Sequence, residues 1–125
     1  MTLSELVLDI LELTIEGEQF EEELFHQIEM LNSMIEVQNN DRLNIFFEHA
    51  IGIEKYVAKY KSNELDEFGN SIHRISKLIL KNTCVNVLAS TTLNLTNGII
   101  VSIEICNTTG PLPKEELLTY ELSRK

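Results

Sequence analysis

Residues 41–60 read DRLNIFFEHAIGIEKYVAKY, and the fold turns on their period. Leu43, Phe46, Ala50, Ile53, Val57 and Tyr60 follow one another in steps of three and four, the spacing that aligns side chains on one helix face. The segment is therefore expected to be a helix packed along its whole length. The polar break Gln38-Asn39-Asn40-Asp41 precedes it, with Asn40 or Asp41 placed to cap its first turn.

The same rhythm extends to both sides. After Ser62-Asn63, the residues Leu65, Phe68, Ile72, Ile75 and Ile79 repeat it and predict a further helix. Upstream, Thr2 and Glu5 fit a capping box, followed by a stripe of Leu6, Ile10 and Leu13. Phe20, Leu24, Ile28, Leu31 and Ile35 continue the stripe, and Gly17 either ends the first helix, the preferred reading, or is tolerated inside one long helix at about 1 kcal/mol. Read this way, residues 1–82 form an antiparallel bundle of three to four helices.

At Cys84 the period drops from 3.6 to 2. Val85, Val87, Ala89, Thr91, Leu93 and Leu95 share one face of a strand, and Ile99, Val101, Ile103 and Ile105 share one face of the next. A hairpin over 85–106 follows. Keeping the odd-numbered apolar residues together requires a three-residue loop, Thr96-Asn97-Gly98, which pairs Leu95 with Ile99 and Leu93 with Val101. A lone two-stranded ribbon is marginal in water, so its edges are expected to be covered, which points to a homodimer through helix faces or the hairpin edge. Residues 107–113 read as a linker. Pro113, Glu115-Glu116 and the terminal Arg124-Lys125 favour a short helix over 114–125, although Leu118, Tyr120 and Leu122 also suit a strand. The expected class is α+β, a single domain of helical bundle, one hairpin and a short C-terminal helix.

Charge is distributed unevenly. The net charge is −10, and residues 1–40 carry ten acids and no Lys or Arg, which accounts for the whole imbalance. Glu5, Asp9, Glu12 and Glu16 recur on one face of the first helix, and Glu21-Glu22-Glu23 opens the second. Like charges at i,i+4 cost a few tenths of a kcal/mol per pair, so an unrelieved stripe calls for a reason. These seven residues are the candidate partner-binding surface. A strongly negative face steers a basic protein and repels nucleic acid and anionic membrane. The competing reading is a solvated face kept for solubility.

No pattern in the chain specifies catalysis. Glu23 and His26 form one Glu-x-x-His unit without the second copy that a di-iron bundle needs. The histidines His26, His49 and His73 lack zinc spacing, Cys84 and Cys106 carry no nucleophile signature, and the five glycines stand singly. No enzyme, cofactor or metal is expected. With no export signal and no apolar run of about 18 residues, the chain is read as cytoplasmic, with reduced thiols and no membrane span.

The function this reading favours is a small acidic inhibitor, antitoxin, immunity or accessory protein that docks on a basic protein, nucleic-acid-binding proteins among them. Two alternatives stand beside it. His73, Arg74, Lys77 and Lys81 on the expected fourth helix, followed by the hairpin, match the layout of a winged-helix DNA-binding regulator. A structural subunit of a larger assembly shares every feature as well.

Overall fold

The computed structural model describes residues 3–62, 64–82, 84, 86–113 and 120–125. Its first part follows the sequence. Helix α1 (Leu3–Ile15) buries Leu6, Val7, Ile10 and Leu11. It stops at Gly17, whose φ of +80° is the left-handed conformation that glycine adopts freely after a helix end. Helix α2 (Glu21–Glu29) then starts with three glutamates in its first turn, where the helix dipole favours negative charge. Thr2, the expected cap of α1, lies outside the described residues.

Beyond α2 the helical bundle is overturned. The described residues contain two α-helices and an eight-stranded antiparallel sheet, so the protein is mainly β. Leu31–Asn39 is strand β1 and Arg42–His49 is strand β2, joined through Asn40 at φ +56°. The helical spacing of Leu43, Phe46 and Ala50 was coincidental. A second period lies in the same letters, Leu43, Ile45 and Phe47 against Asn44, Phe46 and Glu48. The strand period prevails because it sets Leu43 opposite Ile105 and Ile45 opposite Ile103 of a neighbouring strand. Gly52, at φ +99°, ends any helical continuation, and only Ile53–Tyr56 makes a short 3₁₀ turn.

The second expected helix is also absent. Its span holds strands β3 (Glu64–Leu65), β4 (Ser71–Ile75) and β5 (Leu78–Asn82). The proposed stripe leaves Leu65 and Phe68 in solvent, while Ile75, Leu78 and Leu80 are buried. With His73 and Arg74 in β4 and Lys81 in β5, no helix carries the basic residues, and the helix-plus-wing layout does not exist.

The hairpin of β6 (Val87–Thr96) and β7 (Ile99–Asn107) lies at the centre of the sheet. Its turn differs from the expected one. Asn97 (φ +50°) and Gly98 (φ +78°) form a two-residue turn that pairs Thr96 with Ile99 and Leu95 with Ile100. A bulge then inserts Val101, after which Leu93 faces Ile103 and Thr91 faces Ile105. The Asn-Gly preference thus sets the turn, and the bulge restores the shared apolar face.

The strand order is β1-β2-β7-β6-β4-β3, with β5 paired to the first half of β6 and β8 (Glu121–Arg124) beyond β5. Both edges of the central hairpin are therefore occupied within the chain, by β2 on one side and by β4 and β5 on the other. That hairpin thus needs no second copy to cover its edges. The C-terminal helix is corrected too: residues 114–119, with Glu115, Glu116 and Leu118, lie outside the described residues, and Glu121–Arg124 is strand. Helices α1 and α2 cover one face of the sheet, and Leu6, Ile10 and Leu24 join Leu80, Leu93 and Ile103 in one core.

Candidate functional site

The acidic stripe of α1 is exposed as its spacing requires, but the fold divides it. Asp9 is half-buried and accepts a hydrogen bond from the Tyr120 hydroxyl. Burial, and then that contact, push the Tyr120 phenol up to about 12, and a phenolate there would also sit beside the charges of Asp9 and Glu5. Glu16 lies 3.7 Å from Arg124 of β8. Glu18, just past the helix, pairs with Lys77 and accepts the Tyr60 hydroxyl at 3.1 Å. Burial and the Glu18 charge raise the Tyr60 phenol well above its ordinary range. Part of the negative surface thus serves to hold the C-terminal strand and the β4–β5 region against α1.

Four carboxylates also converge. Glu12 from α1, Glu16 just past its end, and Glu21 and Glu22 from α2 line a shallow groove of about 530 Å³ together with Ile15 and Phe25. The local sequence explains the meeting. Gly17 turns the chain sharply after α1, and Glu21 accepts the Gly17 amide at 3.2 Å, bringing the start of α2 beside the end of α1. Phe25 is 47% exposed, a large aromatic left in solvent between carboxylates. Of the remaining candidates, Glu5 is exposed along α1 and Glu23 is half-buried on the Tyr60 side of α2.

Such a groove suits a cationic side chain. A guanidinium or ammonium entering it meets both carboxylates and an aromatic ring, combining charge-assisted hydrogen bonds with cation–π attraction. Phe25 was missed in the sequence. It falls off the stripe of Phe20, Leu24 and Ile28, and an aromatic residue on the charged side of an amphipathic helix was the available signal.

The other candidates are absorbed into the structure. His26 lies 3.3 Å from Glu29 and stacks on Tyr56 at 4.7 Å between ring centroids. His73 stacks on Tyr60 at 3.9 Å. Arg74 pairs with Glu64, and Lys77 donates to the Glu16 carbonyl as well as pairing with Glu18. Among the described residues no cluster of His, Cys, Asp and Glu could hold a metal ion. Both cysteines are free thiols, Cys84 exposed and Cys106 half-buried opposite Ser90. No described helix is long and apolar enough to cross a membrane.

No family model matches the chain, and no curated protein or solved structure is found to match it.

Proposed function

We propose that this chain is a non-enzymatic inhibitor or accessory protein of the cytoplasm, of the antitoxin or immunity type, that docks on a basic protein through the groove between α1 and α2. The observation that carries the reading is Phe25, 47% exposed among Glu12, Glu16, Glu21 and Glu22. A solubility surface needs the carboxylates but gains nothing from an aromatic ring among them. The expected partner presents Arg or Lys beside an apolar residue. Nucleic acid is not the expected ligand, since the same potential repels phosphate.

Capture from the source cell on immobilised protein, with the bound proteins read by mass spectrometry, tests this. The wild type should retain a protein of high pI, released by salt. The charge-reversed variant E12K/E21K/E22K and the truncation Phe25→Ala should each retain it at least about tenfold less well. Equal retention by all three proteins discards the groove as the docking site.

A further inference from the structure

Strand β1 forms one edge of the sheet and pairs only with β2 among the described residues. Natural edges are blunted by short length, lysine, proline or charge, because unpaired amides and carbonyls otherwise recruit another strand. At the opposite edge, β3 has two residues and β8 four. β1 has nine, with no proline, no lysine and a single charge, Glu36.

Its apolar side chains are uncovered on the outer face and only partly covered on the inner one. Outside, Ile35 is 55% exposed, Val37 48% and Phe46, opposite Ile35 on β2, 46%. Inside, the helices leave a groove of about 290 Å³ whose walls include Leu8, Ile28, Met34 and Phe47. Among the described residues, none that lines that groove is charged. In a molecule of net charge −10, this is a surface on which two copies can meet without opposing their carboxylates. A cationic partner, in contrast, finds almost nothing here to attract it.

We propose that β1 pairs with β1 of a second copy, antiparallel, about a two-fold axis at Ile35. An antiparallel strand is self-complementary under such an axis, as a closed isologous dimer requires. Charge selects the register. An axis at Glu36 would set two carboxylates opposite each other, whereas an axis at Ile35 sets Glu36 opposite Met34 and Val37 opposite Ser33. The two outer apolar patches become one, and the sheet runs continuously through both copies. The acidic groove takes no part, so the two proposals stand or fall separately.

Sedimentation equilibrium of the full chain, from about 1 to about 100 μM, gives the first measurement. The wild type should approach twice 14.3 kDa and I35K/V37K should stay at 14.3 kDa, with a circular dichroism spectrum like that of the wild type. The second measurement is Ile35→Cys in a C84S/C106S background, which mild oxidation should convert to a disulfide-linked dimer, while Val37→Cys should cross-link far less. A wild type of 14.3 kDa throughout, a dimer that survives I35K/V37K, or equal cross-linking at 35 and 37 would each overturn the proposal. If I35K/V37K does not fold, the cross-linking pair decides alone.

Discussion

Gln27 and Ile100 are joined inside the core, where the Ile100 amide donates to Gln27 Oε1 at 2.8 Å. The other end of the same side chain donates to the carbonyls of Gly98, at 2.9 Å, and Tyr56, at 2.6 Å. Gln27 is completely buried. One amide on α2 therefore ties down the β6–β7 turn and the 3₁₀ turn together. Removing it strands a buried N–H and two carbonyls, each costing about 1–3 kcal/mol when left unpaired. Gln27→Leu should lower the unfolding free energy by roughly 3 kcal/mol or more, read as a fall in the urea midpoint. A change below about 0.5 kcal/mol would show that the three bonds contribute nothing net.

Gly98 should resist substitution far more than Gly17, although their backbones are alike. Their φ angles are +78° and +80°. A Cβ on Gly98 would lie 2.4 Å from the Ala58 carbonyl oxygen and 2.7 Å from a Val57 methyl, whereas on Gly17 it meets nothing within 4 Å. Gly17→Ala should cost only the left-handed strain, about 1–2 kcal/mol. Gly98→Ala should add a backbone collision and the loss of the Ala58 amide's 3.0 Å bond to the Gly98 carbonyl. Parallel denaturation curves that coincide for the two variants would contradict this.

Alkaline pH should weaken the hold of β8 on α1 through Tyr120. In the folded state its phenol is pushed up to about 12 by burial and by the bond to Asp9. Free tyrosine ionises near about 10. The folded value lies above the unfolded one, so the stabilisation is complete below about pH 10 and is lost as pH rises towards about 12. Tyr60, raised in the same direction by burial and Glu18, adds to the trend. Stability measured from about pH 9 to about pH 11.5 should fall more steeply for the wild type than for Tyr120→Phe. Parallel slopes would remove Tyr120 from the effect.

Thr14 offers the opposite experiment. It is buried in α1, and its hydroxyl finds no hydrogen-bond partner among the described residues. Valine has the same shape without the polar group. Thr14→Val should raise the unfolding free energy by about 1 kcal/mol, visible in thermal or urea unfolding.

The sequence was legible where periods were unambiguous. α1 and α2, their division at Gly17, the alternation of β6 and the shared face of Ile103 and Ile105 could be read from it, whereas Ile99 and Val101 fall off that face and Ile100 is buried in their place. Residues 31–82 were misread because Leu43, Phe46 and Ala50 satisfy one period while Leu43, Ile45 and Phe47 satisfy another. What decides between them is Ile103 and Ile105, about sixty residues downstream, which no local window contains. The β6–β7 turn was misjudged because a bulge at Val101 absorbs the face conflict that seemed to forbid a two-residue turn. Of the site, the glutamates were visible as a charge run. Their closure around Phe25 was not, since it depends on the angle at which Gly17 sends α2 back beside α1.

The strand order has a consequence for how the chain is made. β7 occupies the middle of the sheet, yet it comes late, at Ile99–Asn107, and β2 has no neighbour but β1 until then. A chain emerging from the ribosome must carry the β1–β2 ribbon, with Ile45 and Phe47 wet, until more than fifty further residues have been added. Assembly is then held back by the entropy of closing that long loop, and refolding on a scale of milliseconds to seconds is the expected pace. Over that interval the newborn protein is at its stickiest, and its survival depends on how fast the late strands arrive.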